Sequence, residues 1–276
     1  MLKVAVPNKG SLSESATTIL RECGYRQRAD LRDLTLLDIE NDIEFYYLRP
    51  RDIALYVASG ELDTGITGRD LLIDSGADAR ELLALDFGRS TFRFASKSDH
   101  SLTGKRIATA YPGLMQKYLD ENGIQATVVR LDGAVESSIR LGVADVIADV
   151  VSTGGTMRQA GLQVFGEPIL ESEAILIAGA RGSSNPAVGT LVRRLNGVVI
   201  ARQYVLVDYD VANSDLAAAT ALTPGIESPT ISPLQKEGWS AVRAMVKRKD
   251  VNKVMDDLYE VGARGILVTD IHASRL

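Results

Sequence analysis

Residues 136–157 read Glu-Ser-Ser-Ile-Arg-Leu-Gly-Val-Ala-Asp-Val-Ile-Ala-Asp-Val-Val-Ser-Thr-Gly-Gly-Thr-Met. Val135, Ile139 and Val143 recur at helical spacing behind Asp132, which predicts a short helix capped by that carboxylate and ended at Gly142. Val146, Ile147 and Ala148, continued by Val150 and Val151, form the apolar run expected of a parallel strand covered on both faces. Thr153, Gly154, Gly155 and Thr156 then put small residues and two hydroxyls where a helix over residues 156–160 would begin, so backbone N–H groups can converge on a monophosphate. Asp149, at the strand's end, is placed to accept hydrogen bonds from vicinal sugar hydroxyls. Strand, glycine turn and helix in this order predict an α/β fold with a grip for a phosphorylated sugar. An ordinary strand-to-helix turn with a surface Asp is the plainer alternative for the turn alone.

The same alternation extends outward. Leu2–Val6 reads as a strand, Ser11–Cys23 as a helix stopped at Gly24, Ile43–Leu48 as a strand, Pro50 as a helix start, Leu62–Thr67 as a strand and Arg69 as the start of a short helix. A second series follows: strands over Phe92–Ser96 and Arg106–Ala110, a helix over Gly113–Asn122 and a strand over Thr127–Leu131. Ala174–Ala178 as a strand and Pro186–Leu195 as a helix would return the chain to the first lobe. Two lobes with strand ends facing a cleft give each of two ligands its own support.

From Ala201 the pattern changes. Tyr204–Asp208, Pro229–Ile231, Ala241–Val246 and Gly265–Thr269 read as strands. Asn213 is expected to cap a helix through Leu222, and Asp250 one with Val251, Val254, Met255, Leu258 and Val261 on one face, ended at Gly262. The order βαββαβ predicts a ferredoxin-like unit whose middle strand is held to an edge by Pro224, Pro229 and Pro233. By pattern alone such a unit serves as a dimerisation module.

The chain has 276 residues, 45% of them hydrophobic, enough for two or three modest cores. Its net charge of -5 and lack of a basic cluster argue against nucleic acid as a partner. No apolar run is long enough for a bilayer, and the N-terminus enters a strand without the pattern of a signal peptide, so a cytoplasmic location is expected. Cys23 is the single cysteine, and His100 and His272 stand apart, which excludes a disulfide framework and a zinc-ligand set. Cys23 is expected to pack on the helix face of Leu12, Ala16, Ile19 and Leu20, and His100 to be a solvated loop residue.

Glu136, Gly142, Ala144, Ile147, Asp149, Val150, Thr153, Gly154, Thr156 and Met157 stand at the spacings of the signature of the ATP phosphoribosyltransferases, which open histidine biosynthesis. The chain resembles the long form of that family throughout. Val6-Pro-Asn-Lys9-Gly10-Ser11-Leu12 resembles its first strand and nucleotide-facing loop, Leu48-Arg49-Pro50 and Ile66-Thr-Gly68-Arg69-Asp70 two further active-site segments, and residues 223–233 its regulatory domain. Val150 after Asp149 replaces the second acidic residue of many other phosphoribosyltransferases, as in this divergent family.

The resemblance implies a two-lobed, periplasmic-binding-protein-like catalytic core with a C-terminal ferredoxin-like regulatory domain. Lobe I would take residues 1–90 and 174–198, lobe II residues 91–173, and the regulatory domain residues 199–276. It implies transfer of phosphoribosyl from phosphoribosyl pyrophosphate to N1 of ATP, with Mg²⁺ held mainly by substrate and water rather than by a protein cage. Asp149, Thr153, Gly154, Gly155 and Thr156 would bind phosphoribosyl pyrophosphate. Lys9, Gly10, Ser11, Arg49, Gly68 and Asp70 would bind ATP, with Asp149, Lys9 and Arg49 as the catalytic set. Tyr111, by its place at the end of the Arg106–Ala110 strand, is expected either to join the ATP site by packing against adenine or to be a half-buried structural tyrosine. Arg49 would act through its fork geometry and Lys9 as a point charge. In the C-terminal domain Asp210, Ser228, Thr230 and Gly265 would bind histidine as feedback inhibitor, and dimers would assemble into a hexamer.

Three other readings compete. A two-lobed solute-binding or sensory module would close on a ligand without chemistry. A deaminase that builds a linear tetrapyrrole needs a cysteine to anchor its cofactor, and Cys23 is placed for packing. An amino-acid-responsive partner protein would leave the phosphate turn unexplained.

Overall fold

Leu2–Pro7 forms a buried strand, β1, around which the first ninety residues are arranged. The computed structural model describes residues 1–98, 100–151 and 155–275. It comprises two units, Met1–Val192 and Arg193–Leu276. After β1 come α1 (Ser11–Glu22), β2 (Thr35–Asp38), β3 (Ile43–Leu48), α2 (Pro50–Ala58), β4 (Thr64–Gly68), α3 (Arg69–Ser75) and β5 (Arg80–Ala84). The second lobe holds β6 (Ser90–Ser96), β7 (Arg106–Thr109), α4 (Pro112–Glu121), β8 (Thr127–Arg130), α5 (Ser137–Arg140), β9 (Val146–Val151), α6 (Gly155–Gln159) and β10 (Gln163–Ser172). The chain then passes through β11 (Ala174–Ala178), α7 (Ala180–Ser183) and α8 (Pro186–Gln203).

The two sheets repeat one design. Their orders are β2-β3-β1-β4-β11-β5 and β10-β6-β9-β7-β8. In each, the first strand of a parallel trio lies between the second and third, β3-β1-β4 in one and β8-β7-β9 in the other. An antiparallel strand, β11 or β6, then separates the trio from a last strand, β5 or β10. β6 follows β5 out of the first lobe and β11 follows β10 back into it, so the lobes exchange chain twice. This is the periplasmic-binding-protein-like arrangement, and it turns the carboxyl ends of both trios toward one cleft. Ala5, Ile53, Val57, Ile175 and Ile177 pack in one lobe, and Phe92, Phe94, Ile107, Met115 and Leu119 in the other.

The second unit is β12 (Tyr204–Ala212), α9 (Leu216–Leu222), β13 (Thr230–Pro233), β14 (Trp239–Lys247), α10 (Val251–Glu260) and β15 (Arg264–Asp270). Its antiparallel order, β13-β14-β12-β15, is the ferredoxin-like one. Val205, Val207, Tyr209 and Val211 alternate along β12 into a core with Leu258 and Ala263. β13 is an edge strand, where the missing N–H of Pro233 breaks no ladder.

Three expected caps are not formed. Ala134 has φ 48°, a left-handed turn that a helix begun at Asp132 cannot contain. Helix is confined to Ser137–Arg140, and Asp132 instead accepts from Arg130 Nε at 3.2 Å. Asn213 Oδ1 accepts from Ser240 Oγ at 2.8 Å, and α9 starts later, with Asp215 at its N-cap position. Asp250 occupies the N-cap position of α10, but its side chain makes no capping hydrogen bond. β9 is parallel to β7 but antiparallel to β6, so it belongs to a mixed rather than an all-parallel sheet. Among the described residues, no helix is long and apolar enough to cross a membrane.

Candidate functional site

The cleft is built from the ends of strands that run side by side. β3, β1 and β4 are neighbours in parallel register, so the residues beyond their carboxyl ends share one rim. Lys9, Gly10 and Ser11 follow β1, Arg49 follows β3, and Gly68 ends β4. Gly10 takes φ 78° and ψ -175°, a positive-φ backbone that glycine adopts without strain, directly before α1. Lys9 and Arg49 are both exposed.

A buried arginine holds this rim from below. Arg28 donates through Nη1 to the carbonyls of Leu31 and Asp33, both at 2.7 Å, and through Nη2 to that of Asn8 at 3.1 Å. Its guanidinium lies 4.0 Å from the centre of the Tyr47 ring. Asn8 Oδ1 is buried with no hydrogen-bond partner among the described residues, an acceptor left open in the loop that carries Lys9.

Asp70, in the first turn of α3, is 7% exposed and held through its amide and Oδ1. Its backbone N–H donates to Ser172 Oγ at 3.0 Å, and that hydroxyl donates to Asp70 Oδ1 at 2.8 Å. Gly68 allows this placement, because a Cβ there would lie 2.2 Å from Asp70 Oδ1.

The second lobe brings Tyr111 and Asp149. Tyr111 is the N-cap residue of α4, packs edge-on to Phe92 at 5.4 Å, and has the Arg51 guanidinium 4.5 Å from its ring centre. Burial, and next the Asp70 carboxylate, push its phenol well above the ordinary range. Asp149 lies on β9 opposite Arg93 of β6, and its Oδ1 accepts the Val150 N–H at 2.7 Å. Burial raises its pKa, Glu136 and Asp70 add to that as like charges, and the Val150 hydrogen bond and Arg51 oppose it. Arg51 and Asp70 from one lobe, and Tyr111, Glu136 and Asp149 from the other, therefore share one electrostatic neighbourhood in which carboxylates outnumber cations. That surplus suits a cation carried in on a polyphosphate. Among the described residues no three His, Cys, Asp or Glu side chains gather as a metal cage.

Beside it, where the chain crosses between lobes, is a cavity of about 470 Å³ lined by Arg69, Arg89, Ser90, Thr91, Val151 and Ser172, among others. Ser172 links it to Asp70, and Val151 ends the strand that carries Asp149. Thr153 and Gly154 of the expected phosphate turn lie outside the described residues; Gly155 opens α6 and Thr156 follows it.

In the second unit, Asp210 and Gly265 come together. Gly265 has φ 61°, and a Cβ there would meet Asp210 Oδ2 at 3.5 Å. Thr230 lies on β13, opposite Arg243 of β14, two strands (about 10 Å at ordinary spacing) from the strand of Asp210 and three from that of Gly265, with exposed Ser228 just before that edge strand. The structure thus unites two of the four expected histidine residues and leaves the other two on the far edge.

Arg51, Asn8 and Ser172 escape the sequence reading. Arg51 stands two residues past Arg49 in the same segment, and its helical phase is its only local signal. Ser172 has none, because its partner is 102 residues away. His100 is exposed and stacks on Phe165 at 4.5 Å, and Cys23 is half-buried just past the end of α1 rather than in the core.

The sequence matches two known families, ATP phosphoribosyltransferase (HisG) over residues 49–197 and the HisG C-terminal domain over residues 201–273. It is 60% identical to the ATP phosphoribosyltransferase of Pseudarthrobacter chlorophenolicus and 61% identical to that of Kocuria rhizophila, each covering 100% of both chains. Among solved structures, the ATP phosphoribosyl transferase (HisG:HisZ) complex from Thermotoga maritima has a chain that superposes with a TM-score of 0.63 at 24% identity. The match covers 71% of this chain and 97% of that one, a likeness of fold. With both family segments present in order and full-length relatives at this identity, the chain belongs to the ATP phosphoribosyltransferase family, in the long form that carries its own C-terminal domain.

Proposed function

We propose that this enzyme transfers the phosphoribosyl group of phosphoribosyl pyrophosphate to N1 of ATP with release of pyrophosphate, and that histidine binds its C-terminal domain as a feedback inhibitor. The observation that carries the catalytic reading is the convergence of Arg51 and Asp70 from one lobe with Tyr111 and Asp149 from the other. Two substrates supported from opposite sides need such a meeting point.

The catalytic lobes are assigned to residues 1–90 with 174–198 and to residues 91–173, and the regulatory domain to residues 199–276. Positive charge grows on the ribose ring as the C1–pyrophosphate bond breaks. Asp149, whose carboxylate is half-buried, would hold the sugar hydroxyls and stabilise that charge, with the phosphate on residues 153–156. Lys9 and Arg49, exposed on the rim, would meet the polyphosphate of ATP, and Asn8 Oδ1 is an acceptor for an N–H of the base. Mg²⁺ bound with pyrophosphate would neutralise the leaving group, and Asp70 and Asp149 supply the nearby negative charge that favours it. No general base is required, since adenine N1 attacks through a lone pair; orientation and fixed charge provide the rate. Dimers assembling into a hexamer would give histidine a two-state element to bias.

Equilibrium titration of the Mg²⁺-containing protein with ATP and with phosphoribosyl pyrophosphate tests this reading. Saturable binding of both is expected, weakened for the sugar phosphate in Thr156→Ala. Binding of neither to folded protein overturns it.

A further inference from the structure

Helices α3 and α4 belong to opposite lobes, yet one carboxylate joins them. Asp74 Oδ1, near the end of α3, accepts from the backbone N–H groups of Gly113 at 2.9 Å and Leu114 at 3.2 Å, in the first turn of α4. These are two of the donors that a helix leaves unpaired at its start, so a residue of one lobe caps a helix of the other. Asp74 Oδ2 takes the guanidinium of Arg51, on α2, at 3.1 Å. The same guanidinium covers the ring of Tyr111, two residues before Gly113.

Gly113 makes the approach possible. A Cβ there would fall 2.1 Å from the backbone oxygen of Asp74, so α4 sits closer to the first lobe than any other residue type would permit. The Asp74 side chain is 12% exposed, dry enough for its hydrogen bonds to hold against water.

We propose that Asp74 and Arg51 are positioning residues for the phosphoribosyl transfer: they clasp the lobes at the α3–α4 end of the cleft, set the separation of the two substrate supports, and fix the Tyr111 ring between them. This rests on the two-substrate reading above. The second lobe binds the sugar phosphate whether or not the clasp is made, whereas ATP meets Tyr111 as well as the first-lobe rim, and reaction needs both substrates at one separation. The clasp therefore acts on turnover and leaves binding of the sugar phosphate to the second lobe unchanged.

Three variants separate its parts. Asp74→Asn keeps an oxygen acceptor for the two amides and loses the ion pair with Arg51. Asp74→Ala loses both, and Gly113→Ala, a change that helix propensity favours, pushes α4 off the first lobe. The expected result for Asp74→Ala and Gly113→Ala is a kcat lower by about tenfold to a hundredfold, with the dissociation constant for phosphoribosyl pyrophosphate alone unchanged; Asp74→Asn falls between these and the unmodified protein.

Hydrogen exchange at the Leu114 amide gives a readout independent of turnover: faster in Asp74→Ala and Gly113→Ala, retained in Asp74→Asn. Faster exchange with unchanged kcat would reduce the clasp to packing and overturn the positioning role. Unchanged exchange in Asp74→Ala would overturn the clasp itself, even if the unmodified protein made no product and the transferase reading had failed separately.

Discussion

The Ser172 hydroxyl and Asp70, 102 residues apart, answer each other: the hydroxyl donates to Asp70 Oδ1 at 2.8 Å and accepts the Asp70 amide at 3.0 Å. Both are buried, so Ser172→Ala leaves a carboxylate oxygen and an amide unpaired. The loss is about 1–3 kcal/mol of stability, with a raised KM for ATP as Asp70 turns. Urea denaturation checks the first and steady-state kinetics the second. A fully stable Ser172→Ala protein would mean that water replaces the hydroxyl.

Gly68→Ala addresses the same carboxylate from the other side. The added Cβ would lie 2.2 Å from Asp70 Oδ1, the movable end of a side chain, while the backbone at φ -83° is open to any residue. Asp70 should swing away from Ser172 with the fold retained. Activity is therefore expected to fall more than stability, and a melting curve beside kcat/KM for ATP measures the two.

How far the sequence carries is clear from such pairs. Ala174–Ala178 is buried at every position and reads as a strand with the bounds it has in the structure, because its signal is local. β2, β5 and β10 carry no such signal: β2 is an edge strand with exposed Thr35 and Leu37, β5 opens on charged Arg80 and Glu81, and β10 holds Gly166 and Pro168 at a register shift. In the cleft, Asp70, Tyr111 and Asp149 are legible because each stands within two residues of the end of an apolar strand, although Asp149 lies inside β9 rather than at its end as expected. Arg51, Asp74 and Ser172 act through contacts between distant segments, which no spacing encodes. In the second unit the strand order is legible, whereas the position of Thr230 two strands from Asp210 follows from sheet order alone.

Asp149 gives a pH signature. Burial raises its pKa above the ordinary 3.8, so the native state keeps this proton to higher pH than the unfolded chain does. The group's contribution to stability is then complete below 3.8 and is lost as pH rises through the native value. Asp149→Asn should thus melt higher than the unmodified protein at neutral pH, with the gap closing in acid, while its use of phosphoribosyl pyrophosphate weakens. A gap independent of pH would assign the effect to packing.

Asp210→Ala should relieve histidine inhibition while leaving kcat largely intact, because Asp210 and Gly265 lie together in the C-terminal unit. Thr230→Ala separates two possibilities. A similar loss of inhibition would require a site reaching across the sheet or between subunits. Full inhibition in Thr230→Ala would confine the site to the Asp210 side.

The measurement that bears most directly on the account is a near-ultraviolet absorbance assay of the protein with ATP, phosphoribosyl pyrophosphate and Mg²⁺, with the product's mass determined. The account predicts a product with the mass of phosphoribosyl-ATP, formed at a rate that falls on adding histidine. Protein that is folded and binds both substrates but forms no product would contradict it, and would leave a two-lobed binding protein in its place.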